Sequence, residues 1–343
     1  MSRKVLIYMS LVVMLALTAC AERNTAFDGG KNYELLAQVP VVGNPCEIEI
    51  GDTHAFVALD QGGVATINLD NHHLEWYTKI EAADGSDEIL YRTRRISVSP
   101  AHDRLLINEI QKTDTIYILD SANPDSLIWL HSIIGNTQDI HDIAIYDLDT
   151  PTDNHVFDIA YCLSNRISLL AYNGAYEANV YPNYTNGGIE VPAIVSGLDI
   201  DASYLYAAAQ QRGLLVIDKP SGTVISELAV KGEAEQVVIH NNYAYIAARQ
   251  GGLQVVNLSD KTNPVHVAEY LTTGYASDIA YSNNTIAISS GGGGCYVFNI
   301  SDPARPRLVK QITEGGYVNT VNMIDDTLIV GTRDNGIYFY KMN

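Results

Sequence analysis

The sequence predicts an all-β fold, a seven-bladed β-propeller whose last blade is closed by the N-terminal strand. Three observations predict it: a unit of about 40 to 50 residues recurs seven times, each unit holds up to four short strand-like segments, and turn formers separate those segments. The composition agrees, because 26 glycines and 22 tyrosines accompany only 5 phenylalanines, 5 methionines and 2 tryptophans and favour strands and turns. No stretch shows a sustained helical period.

Each repeat contains a short apolar run, usually preceded by a glycine, and these runs align the seven copies. We call the first residue of this motif the anchor. This anchor position is occupied in turn by Gly63, Thr115, Arg166, Gly213, Gly252, Gly294 and Gly336. An alternating strand lies upstream of each anchor, and its first apolar residue is Ile48, Ile96, Ile143, Leu198, Val237, Ile279 or Val321. The two elements are 15 residues apart in five units and 19 or 23 apart in the second and third, which predicts inserted loops there.

The sixth unit shows the expected four-strand pattern, over 277–281, 285–289, 295–300 and 307–312. The seventh unit stops after its third strand, at Tyr340 to Asn343. The segment Tyr33 to Val39 is an unassigned strand near the other end of the chain. Placing it as the outer strand of the last blade closes the ring and covers an exposed edge.

The N-terminal segment reads as an export signal. Arg3 and Lys4 precede an apolar run over 5–17 that is too short to span a bilayer comfortably. The sequence Leu17-Thr18-Ala19-Cys20 resembles the lipobox of bacterial lipoproteins, although an ordinary signal peptide can also end in cysteine. The resemblance implies lipidation of Cys20 after removal of residues 1–19, a tether over 20–31 and a propeller over 32–343. Ala21 is not the aspartate typical of inner-membrane retention, so we expect an exported protein on the bacterial outer membrane or cell surface.

The charge balance excludes some partners. The chain has 40 acidic and 21 basic residues, a net charge of −19, and loss of Arg3 and Lys4 with the signal would make it −21. This balance argues against nucleic acid and against binding to anionic lipid by charge. The expected partners are a membrane, through the N-terminal lipid, and a glycan, peptide or envelope protein, with the chain as a monomer. Cys46, Cys162 and Cys295 match no metal or haem spacing and are expected to be buried free thiols.

Two runs carry a family resemblance. The segments at 214–218 (LLVID) and 253–257 (LQVVN), with turns such as Ser259-Asp260-Lys261-Thr262-Asn263-Pro264, resemble the LVIVD repeat. The match is good in the fourth to sixth units, fair in the first and seventh, and poor in the second and third. The resemblance implies a surface-exposed bacterial or archaeal propeller, and it implies no catalytic residue because the family has no defining chemistry.

Catalytic and cofactor motifs are absent from the sequence. It contains no Gly-x-Ser-x-Gly, P-loop, HExxH or CxxCH motif, so we expect no catalytic residue, no cofactor and no metal. Asp147 and Asp149 with Asp153 and Asn154 offer carboxylates for calcium, but they lack the pattern of an EF-hand loop. Acidic chains produce such clusters by chance.

The candidate site is the face around the channel mouth, where the loops into each innermost strand and between the second and third strands emerge. Seven of the eleven arginines of the mature chain fall in these loops. Guanidinium groups bind carboxylates in bidentate fashion and stack on rings. The ligand-binding candidates are Arg95, Arg212, Arg249, Arg333, Gln211, Gln250, His141, Asp142, Tyr275 and Tyr317. In the alternative interpretation the arginines pair with Asp142, Asp278 and Asp334 and join the blades.

These features predict a non-enzymatic ligand- or protein-binding propeller displayed on the bacterial envelope, with an anionic or carbohydrate-like ligand at the mouth. The alternative is a hydrolase or lyase that acts on a polysaccharide or lactone, with His141, Asp142 and Arg95 as acid/base material. A third hypothesis is a structural envelope component whose partner binds the sides of the blades.

Overall fold

Seven sheets, each built on four antiparallel strands, follow one another along the chain, and the innermost strand of each packs against those of its two neighbours in a closed ring. The computed structural model describes residues 22–23, 33–111, 115–134, 140–152, 155–173, 178–184 and 188–342. The predicted seven-bladed all-β propeller is therefore confirmed. We number the blades 1 to 7 and the strands of each blade from first, at the channel, to fourth, at the outside.

The strand bounds are as follows. The first strands are Glu47–Ile50, Thr93–Ser99, Ile140–Thr152, Gly197–Ile200, Gln236–His240, Asp278–Ser282 and Val318–Ile324. The second strands are His54–Ala58, Arg104–Glu109, His155–Leu163, Tyr204–Ala208, Tyr243–Ala247, Thr285–Ser289 and Thr327–Thr332. The third strands are Val64–Asn68, Thr115–Asp120, Arg166–Tyr172, Leu214–Asp218, Leu253–Asn257, Cys295–Asn299 and Gly336–Met342. The fourth strands are Leu74–Tyr77, Ile128–Ile134, Ala178–Val180, Thr223–Leu228, Val265–Tyr270, Arg307–Ile312 and, for blade 7, Tyr33–Val39.

The N-terminal strand closes blade 7 as predicted. It runs antiparallel to the third strand, with Tyr33 opposite Met342 and Val39 opposite Ile337. This pairing satisfies the backbone groups of a strand that would otherwise be an exposed edge. A second N-terminal segment, Glu22–Arg23, adds in parallel to the outside of blade 5.

The insertion expected as a loop in the third unit is partly strand. In blade 3 the first two strands lengthen into a hairpin, over Ile140–Thr152 and His155–Leu163. The second blade gains a hairpin of Lys79–Ala82 and Asp87–Ile89 from the connection that precedes it. Smaller additions are the strand Ile189–Glu190 and two 3₁₀ helices, Pro100–His102 and Pro182–Tyr184.

The core lies between neighbouring blades. Tyr206 and Val216 of blade 4 pack against Val237 and Ile246 of blade 5, and equivalent clusters fill the other interfaces. Successive side chains of a strand point to opposite faces, and both faces of a blade meet a neighbour. The third strands therefore read as continuous apolar runs, which is why they align the repeats in the sequence.

The anchor glycines have a steric cause. Gly252 has φ +67°, and a Cβ there would lie 2.2 Å from the Tyr270 carbonyl oxygen of the fourth strand. Gly63, Gly213, Gly294 and Gly336 also have positive φ, with a fourth-strand carbonyl 2.1 to 2.3 Å from the Cβ position. A residue with a side chain would be strained and would collide at this turn.

One ion pair is buried between blades 3 and 4. The Lys219 ammonium lies 2.8 Å from an Asp158 carboxylate oxygen. His155 and Tyr181 hydrogen-bond to the other oxygen, each at 2.7 Å. The carboxylate is therefore satisfied on both oxygens, as a buried charge must be.

The cysteines that the structure describes are free thiols: Cys162 and Cys295 are buried as expected, whereas Cys46 is half-buried. Within the described residues, no helix has the length and apolar character needed to cross a membrane. Cys20 and the signal segment lie outside the described residues.

Candidate functional site

Backbone bridges hold neighbouring blades together around the channel mouth. The residue that begins the turn between the second and third strands pairs, by backbone hydrogen bonds, with a residue at or just before the start of the next blade's first strand. The bridged pairs are Asp60 with Thr93, Gln210 with Ala234, Arg249 with Ala276 and Gly291 with Val318. Asp60, Gln210 and Arg249 adopt positive φ to do so. The side chains of these turns consequently project from a fixed backbone.

A cavity of about 320 Å³ lies at the mouth, across blades 2 to 5. It is lined by Arg94, Arg95, Ile110, Ile140, His141, Ser196, Gln210, Glu235 and Arg249. Three of the candidates named from the sequence therefore share one cavity: Arg95, His141 and Arg249. The lining mixes guanidinium, imidazole, amide, hydroxyl and carboxylate groups with two isoleucines.

The cavity side chains are held by polar contacts. Arg249 lies between two carboxylates, 2.7 Å from Glu233 and 2.5 Å from Glu235. Burial raises the pKa of Glu235, and the Arg249 charge opposes this rise. These contacts fix the positions of one guanidinium and one carboxylate at the cavity wall.

The opposite wall carries two further arginines. Arg95 is 3.5 Å from Glu47, and Arg94 is 3.9 Å from Asp60 with half of its side chain exposed. The His141 Nδ1 lies 2.8 Å from the Val195 carbonyl oxygen, so the ring orientation is fixed by the loop into blade 4.

The other candidate residues lie elsewhere on the mouth face. Arg212 pairs with Glu227 at 3.1 Å. The Arg333 guanidinium stacks 3.9 Å above the Tyr317 ring. Tyr275 is exposed, as are Gln211 and Gln250. The structure thus brings together some of the predicted side chains and spreads the rest around the rim.

Among the described residues, the carboxylates within salt-bridge distance of the rim arginines are not Asp142, Asp278 or Asp334. Arg92 binds both oxygens of Asp60, at 2.8 and 3.2 Å, and Arg166 binds Glu190 at 2.6 Å. The Arg92–Asp60 pair joins two neighbouring blades.

Below the mouth, the channel holds a cavity of about 290 Å³ with five carboxylates in its lining. They are Glu47, Glu49, Asp142, Asp199 and Asp278. Four of them accept a backbone N–H of the next blade: Glu47 from Ile96 at 2.6 Å, Asp142 from Leu198 at 2.7 Å, Asp199 from Ile239 at 2.6 Å and Asp278 from Val321 at 3.0 Å. First strands are edge strands, so these carboxylates satisfy N–H groups that have no neighbouring strand.

Burial, and then mutual repulsion, raises the pKa values of the channel carboxylates. Burial, followed by the charges of Asp278, Asp142 and Asp199, raises the pKa of Glu49 to about 8. Burial likewise raises the pKa of Asp199 to about 7. The pKa values of Glu47, Asp142 and Asp278 are also raised, chiefly by burial, although the nearby Arg95 charge opposes the rise.

Sequence reasoning missed Glu49 and Asp199. It considered the position just before the first apolar residue of each inner strand, where Glu47, Asp142 and Asp278 occur. Glu49 and Asp199 come directly after that residue. Strand side chains repeat every second residue, so both positions face the same neighbouring blade. That alternation is the signal that could have found them.

The proposed acid/base grouping of His141 and Asp142 is divided between two environments. His141 lines the mouth cavity, whereas Asp142 is buried in the channel and accepts from Leu198 and from the Gln236 amide at 3.0 Å. Adjacent strand residues point to opposite faces, which separates their partners.

No group of three potential metal ligands occurs among the described residues. The suggested calcium ligand Asp147 instead contacts His102 at 3.3 Å and accepts from Ser99. Asp149 accepts from Tyr146 at 3.3 Å, and Asp153 and Asn154 lie outside the described residues.

Comparison with known proteins supports the fold and the repeat. The LVIVD repeat matches over residues 231–272 and 273–314, and no curated protein sequence matches the chain.

The Cps50 (Swd1) β-propeller domain of Myceliophteria thermophila is similar in structure, with a TM-score of 0.68 and 11% identity over 91% of this chain and 100% of that one. The WD40 β-propeller domain of Doa1 has a TM-score of 0.67 at 11% identity, over 91% and 97% of the two chains. U3-55K has a TM-score of 0.65 at 14% identity, over 90% and 98%. The chain is therefore a seven-bladed β-propeller that contains LVIVD repeats.

Proposed function

We propose that the protein is a non-enzymatic binding propeller that holds a polar ligand, a glycan or a peptide, in the mouth cavity. The observation that carries this proposal is the cavity of about 320 Å³ at the end of a rigid ring. Its wall offers the donors of Arg94 and Arg95, the imidazole of His141 and the amide of Gln210 beside the Glu235 carboxylate. Ligand sites of this kind combine a few positioned polar groups with apolar surface, here Ile110 and Ile140.

The salt bridges favour a ligand that carries both donors and acceptors. Arg249 is already neutralised by Glu233 and Glu235, and Arg95 lies beside Glu47. A small, highly charged anion would have to compete with these carboxylates. Hydroxyl and amide groups can bind without displacing them, which suits a sugar or a peptide backbone.

Envelope display is the second part of the proposal. An acyl chain on Cys20 would hold the propeller to a bacterial membrane through the segment before residue 33. Tyr33 pairs with Met342 at the face opposite the mouth, and Val39 leads toward the mouth loop. Nearer to Cys20, Glu22 and Arg23 pair with Ala268 and Glu269 on the outside of blade 5, so the acyl chain would hold this side of the ring near the membrane.

Contacts in the mouth favour binding over acid/base catalysis. The His141 Nδ1 lies within hydrogen-bond distance of the Val195 carbonyl oxygen, and Asp142 accepts the Leu198 backbone N–H of the next blade. Acid/base catalysis requires a base held within reach of the proton that it moves, often with a second group that orients it. His141 and Asp142 are not arranged as such a pair.

Arrays of glycans and peptides test the mouth. We expect the wild-type protein to bind a defined subset, and His141→Ala and Arg249→Ala to weaken that binding about tenfold or more through loss of positioned polar contacts. Arg307→Ala is the matched control, because Arg307 is exposed on the outer strand of blade 6. Thermal unfolding would verify that each variant is folded. Equal binding by all four proteins would contradict a site at the mouth.

A further inference from the structure

Three exposed apolar side chains gather around one turn of the mouth face, residues 60–63 of blade 1. Val42, Trp76 and Tyr91 are 61%, 45% and 41% exposed. The Trp76 indole N–H donates to the Gly62 carbonyl, and the Val42 carbonyl lies so close to Gly62 that no side chain fits there. Tyr91 directly precedes Arg92, which binds Asp60 in the same turn. Together with Arg94 we call Val42, Trp76 and Tyr91 the blade 1–2 patch.

The patch contains one loosely paired, half-exposed guanidinium, that of Arg94, on a strongly acidic chain. Arg92 occupies both oxygens of Asp60, at 2.8 and 3.2 Å. Arg94 lies 3.9 Å from the same carboxylate, and its side chain is 51% exposed. Two guanidinium groups therefore share one carboxylate, and the charge of Arg94 is the less neutralised of the two.

Arg94 also connects the patch to the mouth, because it lines the cavity together with Arg95 and His141. A single extended ligand can consequently touch the apolar patch and enter the cavity beside the same guanidinium.

We propose that the blade 1–2 patch docks a protein segment that presents an apolar side chain next to a carboxylate, with the carboxylate bound by Arg94. The inference rests on the proposed function and specifies its partner as a peptide. Tryptophan, tyrosine and arginine dominate the binding energy of protein interfaces, and clustered exposed apolar residues mark such surfaces.

The same contacts disfavour a glycan at this patch. The Trp76 N–H is already committed to the Gly62 carbonyl, so it cannot donate to a sugar hydroxyl. Val42, the most exposed residue of the three, offers aliphatic surface that cannot stack on a sugar ring. An apolar peptide side chain gains from both surfaces by burial.

The probe is a synthetic library of eight-residue peptides in three matched sets. The sets place a leucine or phenylalanine beside glutamate, beside glutamine or beside lysine, and a glycan array is run in parallel. We expect the full protein to prefer the glutamate set. Trp76→Ala and Val42→Asp should weaken that binding about tenfold or more. Arg94→Gln should lower binding of the glutamate set while leaving the glutamine set unchanged.

Controls separate this inference from the mouth site. Arg307→Gln should bind as the wild type does, and each variant should retain the wild-type unfolding temperature. Val42→Asp changes an exposed side chain, so it keeps the test informative if Trp76→Ala fails to fold. Binding that requires His141 and Arg249 but not Trp76 or Val42 would overturn the patch and leave the mouth site standing. Binding of glycans that requires Trp76, or no preference for glutamate over glutamine, would also overturn the proposed partner.

Discussion

The channel carboxylates have raised pKa values because the fold requires them to be buried at the backbone of the inner strands. Each inner strand lacks a neighbour on its channel side, and a carboxylate or amide from the preceding blade binds its backbone at most interfaces. Asn322 completes the series from blade 7, donating to the Ile48 carbonyl oxygen at 2.7 Å. This arrangement places mutually repelling carboxylates in one cavity, and burial together with the charges of Asp278, Asp142 and Asp199 raises the pKa of Glu49.

Glu49 should make the stability of the protein depend on pH. Its pKa rises from 4.5 to about 8 on folding, so its contribution to stability is present below pH 4.5 and is lost as the pH rises towards 8. Glu49→Gln removes the charge, and we expect it to stabilise the protein at pH 8.5 relative to pH 4.5 by about 1 to 3 kcal/mol. Urea unfolding at the two pH values measures the difference.

The matched control is Glu314→Gln, since Glu314 is exposed on the mouth rim. Its effect on the free energy of unfolding should be small and similar at both pH values. If Glu49→Gln changed stability equally at pH 4.5 and 8.5, the channel would not hold a crowded acid at this position.

At the scale of elements, the turn into the third strand is the most constrained feature of a blade. It combines a backbone bridge to the next blade with a glycine that lies against the fourth strand. Because both constraints act on the backbone, the side chains at the other positions of the turn can differ from blade to blade. This explains why the motif survives in blades whose turn side chains differ, as in the turns that end at Gly213 and Gly294.

Gly252→Ala should test this constraint. The new Cβ would lie 2.2 Å from the Tyr270 carbonyl oxygen at φ +67°, so we expect a loss of about 2 to 4 kcal/mol in the free energy of unfolding. Gly292→Ala is the control within the repeat, because no atom lies within 4 Å of that Cβ position. Chemical unfolding of both variants gives the comparison. A loss as large for Gly292→Ala as for Gly252→Ala would show that the close approach to Tyr270 does not set the cost.

At the scale of the whole molecule, stability depends on closing the ring. The N-terminal strand pairs with the last strand of the chain, across nearly the full length of the sequence. Such a contact is costly to form because it closes a loop of nearly the whole chain, which loses conformational entropy.

Removal of the closing strand should therefore affect the entire propeller. We expect a chain that starts at residue 41 to unfold at a temperature lower by several degrees or to associate through its exposed third strand, Gly336–Met342. A chain that starts at residue 32 keeps the strand and serves as the control. Calorimetry and size-exclusion chromatography compare the two. Identical unfolding temperatures with no association would show that closure adds nothing to stability.

The architecture was predictable from the amino-acid sequence, because each blade repeats the same local constraints. The alternation of the first strands, the apolar third strands and the anchor glycines depend on contacts that every repeat makes in the same way, so they recur in register. The missing fourth strand of blade 7 and its replacement by Tyr33–Val39 followed from counting strands.

Which side chains share a site became apparent only from the folded ring. Loops from four different blades line the mouth cavity, and the distances between them depend on ring geometry that the spacing of repeats does not encode. The folded ring alone also shows that Arg249 is held by Glu233 and Glu235 and that Trp76 reaches Gly62, since both depend on side-chain direction at individual positions. The repeats share the residues that the fold requires, whereas the residues of a binding site differ from one repeat to the next.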